Sequence, residues 1–154
     1  MTGKPIDEVL NWLDSQRDAM TDLLEELVNM ESGTYNKPGV DAVGAKIEAH
    51  LNAAGIKTER TGADSFGDCI RAEISAALGG ANRHIVLMGH RDTVFPDGTV
   101  AERPFTKDGD VAYGPGVADM KSGLVMNTFI MEAFHKFGGA PFPLVALYTG
   151  DEEI

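Results

Sequence analysis

The sequence predicts an α/β layered domain with a sheet that is at least partly parallel. Three observations carry that reading. Apolar residues recur at helical spacing near the N-terminus, over 40–51 and over 124–134. Two unbroken apolar runs, 85–88 and 144–148, are of the kind found in strands covered on both faces. The order helix, helix, strand, strand, strand, long loop, helix, strand mixes the two types along one chain. The 154 residues are the size of one domain, and the 43% that are hydrophobic suffice for a core and argue against wholesale disorder.

Residues 1–30 read as helix, in one piece or two. Val9, Leu10 and Leu13 start an apolar stripe that Met20, Leu23, Leu24, Leu27 and Val28 continue at spacings of three and four. The turn-rich stretch 31–39 interrupts it. A second helix follows, with Val40, Val43, Ile47 and Leu51 on one face and Gly55 as its C-terminal stop. Strands are expected over 56–61 and 69–74; in the latter Ile70, Ala72 and Ile74 alternate with Arg71 and Glu73. Gly79-Gly80 marks a turn before the strand 85–88. From there to Asp119 the pattern is loop-like, with glycine at 98, 109, 114 and 116. A helix over about 121–137 carries Leu124, Val125, Thr128, Ile130, Met131 and Phe134, and Gly138-Gly139 stops it. The strand 144–148 and the acidic segment 150–154 close the sequence.

Charge narrows the function. Lys and Arg number 13 against 24 Asp and Glu, a net charge of −11 with His neutral. Such a surface repels phosphate backbones and anionic headgroups, so no nucleic-acid partner is expected. No apolar run approaches the roughly 18 residues that cross a bilayer, so no membrane partner is expected either. The N-terminus turns acidic where a signal peptide needs an apolar stretch, which predicts a cytoplasmic location. The single cysteine, Cys69, excludes an internal disulfide framework and a cysteine-based zinc knuckle. A metal site would have to use His, Asp and Glu.

Three polar clusters stand at the ends of the buried-type elements, where open α/β sheets place their ligand sites. In Gly89-His90-Arg91-Asp92-Thr93-Val94, an extended backbone would put His90 and Asp92 on one face. Asp92 could then hold one imidazole nitrogen and leave the other for a metal; an ordinary strand-end turn has the same sequence. The second cluster is Tyr113-Gly114-Pro115-Gly116-Val117-Ala118-Asp119-Met120-Lys121-Ser122-Gly123. Its glycines let the backbone pass close to a neighbour, and Asp119 alone would read as a helix N-cap. The third, Asp151-Glu152-Glu153, is a solvated loop by itself. Together they supply an imidazole and carboxylates, ligands that borderline divalent ions such as zinc accept, with a glutamate to spare as a general base. The residues alone leave a metallohydrolase and a set of strand-end turns both open.

In this order the three motifs resemble the signature of the co-catalytic zinc exopeptidases, the family of glutamate carboxypeptidase, aminoacylase, acetylornithine deacetylase and succinyl-diaminopimelate desuccinylase. The resemblance runs from about Gln16 to Ile154. It is nearest the glutamate carboxypeptidase branch, on Leu27-Val28-Asn29-Met30-Glu31-Ser32-Gly33, on Pro104-Phe105 and on the segment 109–116. It implies a three-layer catalytic domain with a mixed, partly parallel sheet between helices. It also implies two divalent metal ions, zinc by family habit. His90 would hold one, Glu153 the other, and Asp119 would bridge them, with a non-proline cis peptide at Asp119–Met120. Asp92 would orient His90, and Glu152 would be the general base. The implied reaction is hydrolysis of an amide or peptide bond next to a free carboxylate in a small peptide, with C-terminal glutamate as a candidate product. An N-acyl-amino-acid deacylase is the alternative of the same class. A non-catalytic remnant that binds a metal or a partner is the alternative of another class.

Family members are longer, adding one carboxylate, one histidine and an inserted dimerisation domain. The resemblance therefore implies that residues 1–154 are the N-terminal portion of a catalytic domain, incomplete at the C-terminus and without the dimerisation domain. The full-length form is expected to be a homodimer. The 154-residue chain alone is expected to be inactive with zinc, since three protein ligands would serve two ions. His50, His84 and His135 lie outside the motifs and read as structural or solvated.

Overall fold

The computed structural model describes residues 6–77 and 83–154; the turn expected at Gly79-Gly80 lies outside them. The N-terminal helical stretch is two helices, α1 (Ile6–Ser15) and α2 (Arg17–Val28). Val9 of α1 is buried, whereas Leu10 is exposed and is no part of the buried stripe. Helix α3 (Lys37–Ala53) starts where the Asn36 side chain accepts the Gly39 N–H at 3.0 Å. It stops before Gly55, whose φ of +85° turns the chain away.

The strands are β1 (Thr58–Thr61), β2 (Cys69–Ile74), β3 (Ile85–His90) and, after the loop region, β6 (Leu144–Thr149). They form one sheet in the order β1-β2-β6-β3, antiparallel except for the parallel pair β3 and β6. The mixed, partly parallel sheet expected from the sequence is thus present. The loop-like region between β3 and residue 119 is more ordered than its composition suggests. It holds a one-turn helix α4 (Thr99–Glu102) and a small hairpin of β4 (Thr106–Asp108) and β5 (Val111–Tyr113). An irregular turn, Val117–Lys121, leads into α5 (Ser122–Lys136).

Alternation along the strands builds the core. Ile70 pairs with Tyr148, Ala72 with Ala146 and Ile74 with Leu144, so these side chains share one face. They pack with Leu23 and Leu27 of α2, Val43, Ile47 and Leu51 of α3, and Leu124, Phe129 and Met131 of α5. Helices α3 and α5 lie on that face of the sheet.

Strand β3 departs from expectation. Its apolar run predicts cover on both faces, yet Ile85, Val86 and Met88 are exposed, Met88 at 63%. The strand stands at the sheet edge, and a Cβ on Gly89 would meet Leu124 of α5, so Val86 and Met88 point to the opposite face. An unbroken apolar run carries no period to say which faces are covered; here α5 covers one. Among the described residues, no helix is long and apolar enough to cross a membrane.

Candidate metal and active site

Because β3 and β6 run parallel, His90 and Thr149 end them side by side. The acidic segment after Thr149 therefore leaves the sheet next to His90, and the turn before α5 brings Asp119 to the same edge. Imidazole and carboxylate ligand atoms of His90, Glu152 and Glu153 lie within 4.8 Å of one another. His90 Nε2 is 3.1 Å from Asp119 Oδ1 and 3.9 Å from Glu152 Oε2. The family resemblance implies His90, Asp119 and Glu153 as ligands and Glu152 as the base. His90, Glu152 and Glu153 come together at one sheet edge, and Asp119 meets them through His90.

The imidazole is buried, and its Nδ1 lies 3.0 Å from the Asp92 backbone carbonyl. That acceptor fixes a proton on Nδ1 and leaves the Nε2 lone pair outward. A lone pair facing a carboxylate oxygen at 3.1 Å is repulsive unless a proton or a cation lies between them. Burial lowers the His90 pKa, but the bonds to the Asp92 carbonyl and to Asp119, with the charges of Asp92 and Glu152, outweigh it and the net shift is upward. The donor set of one imidazole and several carboxylates suits a borderline divalent ion.

Asp92 meets the imidazole more closely through its backbone than through its side chain. Its carboxylate is fully buried and lies 3.6 Å from His90 Nδ1, farther than its own carbonyl. It instead accepts the Thr34 hydroxyl at 2.9 Å, the Glu152 N–H at 3.2 Å and the Glu153 N–H at 2.9 Å. The carboxylate therefore anchors the backbone of the acidic loop. Asp119 does not cap α5: its extended φ/ψ of −125° and 97° lies inside the irregular turn, and no side chain caps that helix. The Asp119–Met120 peptide is cis. Gly150 is required by close approach, since a Cβ there would come within 2.8 Å of Gly67.

Three supporting residues have no role in the sequence reading. Thr34 comes from the turn-rich stretch after α2, where Ser and Thr signal local hydrogen bonding. Arg91 is fully buried between His90 and Asp92, and burial lowers its pKa. Lys121 is buried and donates to the Met30 carbonyl at 2.8 Å; burial pulls its pKa down to about 8 against the opposing charge of Glu31. The three histidines outside the motifs stand apart from this edge: His50 Nε2 is 2.8 Å from Glu132, while His84 and His135 are exposed.

Residues 86–154, which hold all three clusters, match peptidase family M20/M25/M40. The chain is 34% identical over 141 residues to carboxypeptidase G2 of Pseudomonas sp. (strain RS-16), covering 90% of this chain and 33% of that protein. It is 31% identical over 146 residues to succinyl-diaminopimelate desuccinylase of Methylocella silvestris, covering 87% and 37%. Its fold is similar to that of human carnosine dipeptidase 1, with a TM-score of 0.75 at 17% identity over 95% of this chain and 34% of the other. The chain thus spans about a third of the length of the curated relatives it matches. By its ordered motifs and these relatives, the chain is similar to peptidase family M20/M25/M40, whose model matches residues 86–154.

Proposed function

We propose that this chain carries the metal-binding edge of a zinc-dependent hydrolase that cleaves an amide or peptide bond next to a free carboxylate, with C-terminal glutamate as a candidate product. The observation that supports this is the convergence of His90, Glu152 and Glu153 within 4.8 Å, with Asp119 3.1 Å from the imidazole. His90, Asp119 and Glu153 would hold the divalent ions. Such ions, when bound, polarise a carbonyl and bring the pKa of a water toward about 7. The Glu152 carboxylate takes the proton of the attacking water and hands it to the leaving amine. Its side chain is 62% exposed, which leaves it free to face a substrate. Asp92 stays out of the proton transfer, holding both glutamates by their N–H groups and His90 by its carbonyl.

A second reading, hydrolysis of N-acyl amino acids, is favoured by the relatives named desuccinylases. Zinc titration with a hydrolysis assay on the full-length protein tests both. The expected result is zinc-dependent release of C-terminal glutamate from small peptides, lost in Glu152→Gln while zinc content stays nearly unchanged. Turnover of N-acyl amino acids without peptide cleavage selects the second reading. Zinc uptake with neither turnover identifies a non-catalytic metal binder, and equal zinc loss in Glu152→Gln and Glu153→Gln reverses the division of roles.

A further inference from the structure

Arg91 has no part in the reaction above, yet its guanidinium is fully buried beside it. Nε donates to the Thr149 carbonyl at 3.2 Å, Nη1 to the Val40 carbonyl at 2.9 Å, and Nη2 to the Asp68 carbonyl. The Arg91 backbone N–H also donates to Thr149, at 2.9 Å. The nearest carboxylate oxygen, on Asp41, is 3.9 Å away. Three carbonyl dipoles from three separate segments thus compensate this buried charge: the end of β6, the first turn of α3 and the residue before β2. Only a planar fork with five donors reaches all three directions at once; a lysine ammonium is a single point. Helix α3 makes room with Gly44, where a Cβ would fall 2.2 Å from Nη1. Thr149 is the last residue of β6 and opens the turn to Glu152 and Glu153, so the guanidinium fixes where that turn leaves the sheet.

We propose that Arg91 is a positioning residue for the metal site. Through Thr149 it clamps the exit of β6 to the exit of β3 and so keeps Glu152 and Glu153 within reach of His90 Nε2. The functional part rests on the metallohydrolase reading; the clamp itself does not.

The test compares Arg91→Lys, Arg91→Met and Gly44→Ala with Leu51→Ala, a core substitution near the far end of α3. One readout is amide hydrogen exchange at Glu152 and Glu153 in the metal-free chain, since these N–H groups donate to Asp92. The other is affinity for cobalt(II), with its visible spectrum. The Arg91 and Gly44 variants should exchange both amides faster and bind cobalt roughly tenfold more weakly, the size of effect usual for residues behind metal ligands. Leu51→Ala should lower the thermal midpoint and leave both readouts near wild type. Wild-type exchange and affinity in the two arginine variants overturn the proposal, as does equal loosening by Leu51→Ala. If Arg91→Met fails to fold, Arg91→Lys and Gly44→Ala decide, the latter displacing the guanidinium without removing it. Cobalt affinity is read on the full-length protein; if its wild-type form takes up no cobalt, the metallohydrolase reading fails and the exchange readout alone decides on the clamp.

Discussion

Asp92 shows how much of the site hangs on one buried carboxylate. Two backbone N–H groups and a hydroxyl converge on it, so an amide in its place would turn a donor toward a donor. Asp92→Asn should therefore cost about 1–3 kcal/mol of stability, the penalty of leaving buried donors unsatisfied. Thr34→Val removes one of the three bonds and should cost about 1 kcal/mol. Zinc affinity should fall in both through the acidic loop, and less than in His90→Ala, which removes a proposed ligand outright. Urea unfolding and zinc titration of the three variants read this out. An Asp92→Asn chain as stable as wild type would mean that these bonds do not hold the loop. The sequence shows His90, Asp92, Asp119, Glu152 and Glu153 because each stands at the end of an apolar or glycine-rich run. It does not show what holds them. Thr34 lies 58 residues from Asp92, and nothing local marks a hydroxyl that will meet a carboxylate across the fold.

At the scale of elements, helices with a one-sided stripe and explicit stops were the legible part. Helix α3 has Val40, Val43, Ile47 and Leu51 buried as their spacing requires, and Gly55 follows its end. Strand β2 likewise spans Cys69–Ile74 as its alternation predicts. Short elements were illegible: β4 and β5 have only three residues each, too few to display a period. The exposed side of β3 was also hidden, because coverage depends on which face α5 crosses. The start of α3 offers a clean check. Asn36 accepts the Gly39 N–H and donates to Asp97 Oδ1 at 2.7 Å, so it caps the helix and ties it to the loop after β3. Asn36→Ala should cost about 1 kcal/mol, read as a lower urea midpoint with an unchanged slope. Asn36→Asp, which keeps the cap oxygen but faces Asp97, should recover only part of that.

For the whole molecule, Tyr148 links the sheet to the helical layer and makes alkaline stability a test of the core. It lies on β6 between β2 and β3, fully buried, with its oxygen 3.1 Å from the Thr128 hydroxyl of α5. The Thr128 hydroxyl donates to the Leu124 carbonyl at 2.8 Å, so the phenol is the donor to Thr128. Burial raises the phenol pKa to about 12. An unfolded tyrosine titrates near 10. Between these values the folded chain keeps a proton that the unfolded chain releases. The stabilisation is therefore intact below about pH 10 and is lost as pH rises toward 12, by about 3 kcal/mol in all at 1.36 kcal/mol for each pKa unit. Growing net negative charge, from −11 at pH 7, destabilises any variant in the same range. The comparison with Tyr148→Phe removes that common part. The Phe variant should be less stable by about 1 kcal/mol at pH 8, having lost the hydrogen bond, and should overtake the wild type as pH passes about 11. Urea midpoints for both chains between pH 8 and 11.5 measure the crossing. Parallel curves would show that Tyr148 loses its proton in the folded chain as readily as in the unfolded one, and that the sheet and α5 are not sealed around it.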